Sequence, residues 1–123
     1  IRIGTAEIYR QVESLPDILE ALAVGQNWQN DQRIILFVIT RGGRDLDKIF
    51  INSIKDIIRK GASPRHVPAK IFKVEDFPRT RSGKITEIAV RDIINGKEVK
   101  NTEVLKNPEI LESFKNFTDL YND

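Results

Sequence analysis

The sequence Arg-Ile-Ile-Leu-Phe-Val-Ile-Thr at residues 33–40 contains an unbroken apolar run. Such a run, without the alternation of a half-exposed strand, is typical of a strand that is buried on both faces. Residues 18–24, Ile-Leu-Glu-Ala-Leu-Ala-Val, predict a partner strand, and the polar residues 25–31 predict the loop between the two. The sequence therefore predicts an antiparallel hairpin whose second strand is covered on both sides.

Amphipathic helices precede and follow this predicted hairpin. Residues 6–14 carry apolar side chains at helical spacing after Thr5, a good N-cap, and this helix is expected to end before Pro16. After a pair of glycines breaks the strand, an apolar stripe over residues 46–58 predicts a second helix that continues to about Lys60. Each helix thus has one apolar face that can cover the sheet.

A third strand and a third helix complete the predicted domain. Pro64 and Pro68 favour extended backbone and lead into a strand at residues 69–75. The last helix is expected to follow the turn-forming residues 78–84 and to stop at Gly96. The order helix, strand, strand, helix, strand, helix predicts an α+β fold, in which helices pack on a small, three-stranded, mainly antiparallel sheet.

The length of the chain, 123 residues with 40% apolar content, is enough for one modest core. We assign residues 1–96 to the predicted domain and residues 97–123 to a C-terminal extension that is partly helical or loosely docked. Residues 108–115 have weak helical character within that extension. Because the sequence lacks methionine and begins with isoleucine, we expect the chain to be part of a longer protein.

Composition excludes several kinds of site. The absence of cysteine excludes disulfides, thiol catalysis and zinc-thiolate centres, and a single histidine argues against a His-rich metal site. No apolar stretch approaches the roughly 20 residues that a membrane helix needs. We therefore expect a soluble, cytoplasmic protein with no metal site of its own and no membrane partner.

Positive charge is concentrated in one part of the sequence. The net charge is only +2, yet residues 59–84 contain eight basic residues against two acidic ones. Residues 97–123 contain four basic and six acidic residues. An anionic partner such as a nucleotide or the phosphates of CoA fits this distribution. Nucleic acid is the weaker interpretation, since the basic stretch has no repeated aromatic platform for stacking bases.

Residues 78–85, Pro-Arg-Thr-Arg-Ser-Gly-Lys-Ile, place one lysine behind a glycine in a short cationic loop. An ammonium group is charged at neutral pH and donates well to carboxylate and phosphate oxygens. The loop is not a Walker-type phosphate loop, because Pro78 stands where the first glycine is needed and Ile85 follows the lysine. Two interpretations stay open: an ordinary solvated turn, or a lysine that meets an anion held by another surface.

The same loop resembles the last core motif of the adenylate-forming superfamily, which includes acyl-CoA synthetases, peptide-synthetase adenylation domains and luciferases. Residues 2–8, Arg-Ile-Gly-Thr-Ala-Glu-Ile, resemble the motif that opens the small C-terminal domain of these enzymes. Arg59 stands 25 residues before Lys84, where a CoA-binding arginine occurs in acetyl-CoA synthetase-like members. Residues 63–68 and 107–111 resemble the acetoacetyl-CoA synthetase subgroup in particular.

This resemblance implies an acid–CoA ligase that converts a short-chain carboxylate and ATP into an acyl-adenylate and then transfers the acyl group to CoA. It implies that an N-terminal adenylation domain of the same chain holds ATP, Mg²⁺ and the acid, with acetoacetate as the favoured acid. The fragment alone is then expected to be inactive. Acetyl- or propionyl-CoA synthetase-like ligases, and a non-catalytic phosphate- or nucleic-acid-binding module, remain the alternatives.

The resemblance also implies roles for individual residues. Lys84 is expected to be the catalytic residue of the adenylation step and to contact ATP or AMP, together with Arg2. The thioester step is assigned to the face from Arg2 to Glu7 and to Arg59, with Gly4 and Arg59 as CoA-binding residues. None of these residues is expected to bind a metal.

Overall fold

The computed structural model describes residues 4–123 as a three-stranded sheet with helices on both faces. The main elements are, in chain order, α1 (Ala6–Val12), β1 (Ile18–Trp28), β2 (Asp31–Thr40), α2 (Lys48–Gly61), β3 (Lys70–Lys73) and α3 (Glu87–Ile94). Short 3₁₀ turns lie between them and throughout the C-terminal part of the chain. The predicted fold class and the predicted order of elements are both confirmed.

The sheet has the order β1-β2-β3 and is mixed. β1 and β2 form a long antiparallel hairpin, whereas the shorter β3 pairs with β2 in parallel. Parallel neighbours need a crossover connection, and here α2 supplies it, so that β2, α2 and β3 form a βαβ unit. The hairpin accounts for most of the pairing in the sheet.

The hairpin is longer and its turn tighter than the sequence predicts. We predicted a loop over residues 25–31, but β1 continues to Trp28 and the turn is made by Gln29 and Asn30. Both turn residues have positive φ, 50° and 63°, a conformation that asparagine tolerates better than most residues. Two-residue turns of this kind match the twist of the flanking strands.

The middle of β2 is buried on both faces, as its apolar run predicts. Ile35, Leu36, Phe37 and Val38 are each 0% exposed. Leu36 and Val38 pack with α1 and α2 on one face of the sheet, while Ile35 and Phe37 pack on the other face with α3 and the C-terminal residues. The sheet thus separates two apolar layers, which we call the α1/α2 face and the α3 face.

Residues 97–123 run along the α3 face in 3₁₀ turns, including Pro108–Lys115. Four of their side chains belong to the core cluster on that face, and these are Leu105, Leu111, Phe114 and Leu120. Phe114 is 0% exposed, and its ring centroid lies 5.2 Å from that of Phe37. The separate status of this extension, and the boundary at residue 96, stay predictions.

Gln26 ties the end of this extension to the sheet. Its side chain is 2% exposed, and its Nε2 donates to the carbonyl of Leu120 at 2.7 Å. The Oε1 of Gln26 accepts from Arg33 Nε at 2.8 Å, and Arg33 also donates to the Leu120 carbonyl at 2.8 Å. Since a buried amide is costly without partners, this network explains why a polar residue lies inside the α3 face.

None of the helices within residues 4–123 has the length and apolar character needed to cross a membrane.

Candidate active site

The predicted lysine loop is a tight hairpin between β3 and α3. Arg79 pairs with Ile85 in an antiparallel bridge, and the Thr80 N–H donates to the Lys84 carbonyl at 2.9 Å. The turn closes where the Gly83 N–H donates to the Thr80 carbonyl, also at 2.9 Å. Gly83 has a φ of +92°, which a residue with a Cβ rarely adopts. The glycine that the sequence placed before the lysine is therefore required by the backbone.

Lys84 lies at this turn with its side chain exposed. Its backbone is fixed, because its N–H donates to Thr80 Oγ1 at 3.2 Å and its carbonyl accepts from Thr80. Among residues 4–123, no carboxylate lies within ion-pair distance of Lys84 Nζ. The hairpin thus fixes the backbone of Lys84, and the ammonium group of Lys84 is accessible to an anion from outside the domain.

Arg79 belongs to the same hairpin but is used internally. Its side chain is 15% exposed and forms ion pairs with Glu20 and with Asp76, the latter at 2.9 Å. The hydrogen bond to Glu20 raises the pKa of Arg79, burial opposes that shift, and the bond to Asp76 adds to it. Arg79 also donates to the Gly83 carbonyl at 3.1 Å. Arg79 therefore stabilises the loop through internal contacts rather than donating to a bound anion.

Sequence reasoning missed Glu20 and Asp76 as partners of the loop. Asp76 could have been found, since it stands only three residues before Arg79 and has the opposite charge. Glu20 lies 59 residues away on β1, and nothing in the sequence connects it with Arg79. Only the fold brings this carboxylate to the base of the hairpin.

The other predicted site residues lie elsewhere. Arg59 is in the last turn of α2, is exposed, and pairs with Asp56 at 2.7 Å. α2 packs on the α1/α2 face, whereas Ile85, the residue after Lys84, packs on the α3 face, so Arg59 and Lys84 extend from different elements of the fold. Arg2 lies outside the described residues.

Gly4 precedes α1 and lines a cavity of about 330 Å³ together with residues of the β1–β2 hairpin and of α3. Within residues 4–123, and apart from the residues next to Gly4 in the chain, no heavy atom lies within 4 Å of the position that a Cβ on Gly4 would occupy. The charged side chains around the cavity are Asp31, Arg33, Glu87 and Arg91. The cavity is thus open and polar enough for a ligand chain to approach the backbone of Gly4.

The fold divides the basic stretch at residues 59–84. Arg79 is paired internally, and Lys73 lies 3.7 Å from Asp45 and donates to the Gly43 carbonyl. The exposed basic residues of the stretch are Arg59, Lys60, Arg65, Arg81 and Lys84. In the part of the chain that the structure describes, no three His, Cys, Asp or Glu side chains are grouped so that they could hold a metal ion.

A known protein family matches more than half of the chain. The family described as "AMP-binding enzyme C-terminal domain" matches residues 7–84, a range that ends on the lysine of the hairpin. The C-terminal extension lies beyond this match.

Comparison with individual proteins gives a consistent result. The chain is 54% identical over 120 residues to the acetoacetyl-coenzyme A synthetase of Rhizobium meliloti (strain 1021), an alignment that covers 98% of this chain and 18% of that protein. Its structure is similar to the acetoacetyl-CoA synthetase of Streptomyces lividans, with a TM-score of 0.81 and 34% identity over 94% of this chain and 18% of that one. An acyl-CoA synthetase from Brucella canis matches 74% of the chain and 17% of its own length, with a TM-score of 0.67 and 27% identity. The chain therefore spans less than a fifth of the length of these relatives.

Proposed function

Because this chain belongs to the family of AMP-binding enzyme C-terminal domains, we propose that it is the small, mobile domain of a cytoplasmic acid–CoA ligase. The proposed ligase joins a short-chain carboxylate to CoA in two steps, through an acyl-adenylate. ATP, the acid and Mg²⁺ are held by an N-terminal adenylation domain of the same protein, which agrees with the larger size of the relatives. The two acetoacetyl-CoA synthetases among those relatives favour acetoacetate as the acid.

The observation that carries the proposal is the exposed side chain of Lys84 on a hydrogen-bonded hairpin, with no carboxylate of residues 4–123 within ion-pair distance of its ammonium. In the first step a carboxylate oxygen attacks the α-phosphorus of ATP, and the bond from that phosphorus to pyrophosphate breaks. Negative charge develops on the oxygens around phosphorus and on the leaving group. Lys84 donates to those oxygens and stabilises the charge as it forms, a contribution that is commonly about 3 kcal/mol for one positioned donor.

The second step needs a different face of the domain. The CoA sulfur attacks the acyl carbon and AMP leaves, so a lysine that still held the adenylate would obstruct the thiol. We propose that the domain rotates between the steps, which withdraws Lys84 and presents Arg2, Gly4 and the start of α1. Arg59 extends from α2, whereas Lys84 lies on the hairpin before α3, and this placement supports separate surfaces for the two steps.

The variant Arg59→Ala is expected to raise the KM for CoA about tenfold, because an exposed contact to a CoA phosphate is worth about 1.4 kcal/mol. Pyrophosphate exchange is expected to stay unchanged, since that assay needs no CoA. The fold loses little, as the pair with Asp56 is exposed on both sides. Steady-state kinetics with Lys60→Ala as the matched control checks this, and an equal change in both variants contradicts a specific role for Arg59.

The isolated 123-residue chain is expected to show no turnover with ATP, acetoacetate, Mg²⁺ and CoA. Lys84 and Arg2 supply only two charges, and the other groups that bind ATP and the acid belong to the proposed N-terminal domain. Release of pyrophosphate and formation of thioester are the two signals to measure, with the full-length enzyme as the positive control. Turnover by the isolated chain contradicts the proposal that the N-terminal domain binds ATP and the acid.

The full-length enzyme that contains this domain tests the proposed function as a whole. Exchange of labelled pyrophosphate into ATP is expected to depend on the added acid, and acetoacetate should support it better than acetate or propionate. A preference for acetate or propionate assigns the enzyme to the neighbouring ligase types. Exchange that no acid stimulates contradicts the ligase proposal.

A further inference from the structure

The side chain of Asn107 forms hydrogen bonds to the backbone at the base of the lysine hairpin. Its Nδ2 donates to the carbonyl of Phe77 at 2.9 Å, and its Oδ1 accepts from the N–H of Arg79 at 2.9 Å. One amide thus pairs with a carbonyl and an N–H two residues apart, which is how a neighbouring strand bonds to an extended segment. The same Nδ2 lies 3.4 Å from Asp76 Oδ2.

Backbone hydrogen bonds continue this pairing between the two segments towards the turn. Thr80 pairs with Leu105 in an antiparallel bridge, and the Lys106 N–H donates to the Arg79 carbonyl at 3.0 Å. Residues 79–80 are therefore flanked by two segments: residues 84–85 of the hairpin on one side and residues 105–106 on the other. An isolated two-stranded hairpin is marginally stable, and a third segment makes it more rigid.

The segment that provides these contacts is itself anchored. Leu105 is 4% exposed, and Leu111 and Phe114, which follow Asn107, are buried in the same core cluster. Moving the amide of Asn107 away from the hairpin would therefore require apolar side chains to leave the core. The core thus holds Asn107 in register with residues 77 and 79.

We propose that Asn107 is a positioning residue for the adenylation step, which acts through the hairpin to hold Lys84 in place. This inference rests on the proposed role of Lys84. A reacting group that is misplaced by about 1 Å can lose roughly 100-fold in rate, so rigidity at the base of the loop matters for catalysis. Asn107 needs no contact with substrate for this role.

The test uses the full-length enzyme with Asn107→Ala and, because alanine could disturb folding, Asn107→Asp. Aspartate keeps the acceptor for the Arg79 N–H but has no donor for the Phe77 carbonyl. In both variants, acetoacetate-dependent pyrophosphate exchange is expected to fall about 10- to 100-fold through kcat. Conversion of a synthetic acyl-adenylate to thioester by CoA is expected to stay within about twofold, because Lys84 is withdrawn in that step. Faster hydrogen exchange at the Arg79 amide is the accompanying signature in Asn107→Ala, because only that variant removes the acceptor of the Arg79 N–H.

Asn116→Ala is the matched control, since Asn116 lies in the same extension and is exposed. It is expected to leave both half-reactions unchanged. Equal losses in exchange and in thioester formation by the Asn107 variants indicate a purely structural role and overturn the inference. Unchanged exchange in those variants overturns it too, and if Lys84→Ala still abolishes exchange, the proposed function stands without it. If Lys84→Ala retains exchange, the proposed function and the inference fall together.

Discussion

In the full-length enzyme, Lys84→Ala is expected to lower acid-dependent pyrophosphate exchange by about 10²- to 10³-fold, which corresponds to about 3–4 kcal/mol of lost transition-state stabilisation. The size of the effect follows from the support of the lysine. Its backbone is fixed on both sides of the turn, so little reorganisation is needed when negative charge develops. Thioester formation from a synthetic acyl-adenylate is expected to change by less than about threefold.

Arg81→Ala is the control for Lys84→Ala, because Arg81 is an exposed cation on the same turn. Its only hydrogen bond in residues 4–123 is a long one of 3.4 Å to the Glu103 carbonyl. If the role of the loop were a general positive field, both variants would lose activity to a similar degree. A loss of less than about fivefold in Arg81→Ala, beside the large loss in Lys84→Ala, identifies one positioned charge.

Phe114→Ala is expected to reduce the free energy of unfolding by about 3–5 kcal/mol, as is usual when a fully buried aromatic ring is removed. Phe114 packs edge-on against Phe37 and also contacts Phe77 and Phe117, with ring centroids 5.2 to 6.4 Å away. Its removal leaves a cavity between the sheet and the C-terminal extension. Urea unfolding of the 123-residue chain, followed by circular dichroism, measures the change.

Lys115→Ala provides the matched control for Phe114→Ala. Lys115 is exposed and forms one surface ion pair with Glu112, so its removal is expected to cost less than about 1 kcal/mol. A similarly small change for Phe114→Ala would mean that residues 97–123 are only loosely docked. A large change would show that the extension is part of the cooperative core.

The architecture could be predicted largely because β2 has no polar interruption. An apolar run that is covered on both faces requires helices in two layers, and α1 and α2 on one side and α3 on the other supply them. The turn at Gly83 was also predictable, since glycine before lysine indicated an unusual backbone conformation. Local pattern thus predicted the fold and the exposed position of Lys84.

The remaining features depend on contacts between distant residues. The end of β1 was predicted as a loop because Gln26 and its neighbours are polar, yet Gln26 is buried against a carbonyl 94 positions further along the chain. Arg79 lies in the cationic loop that the sequence associates with an anion, yet it pairs with a glutamate on β1. Asn107 had no visible link to the loop. In each case the polar residue forms a hydrogen bond or an ion pair with a residue that is distant in the sequence and becomes a neighbour only in the fold.

The network around Gln26 also makes this domain suitable for distance measurements on the proposed rotation. The carbonyl of Leu120 is held by two donors from the sheet, so the exposed neighbour Asp119 should move with the sheet as one body. Since the 123 residues contain no cysteine, Asp119→Cys would introduce a single thiol in this domain for a fluorescent dye. A dye at that position would report the orientation of the domain rather than the swing of a flexible tether.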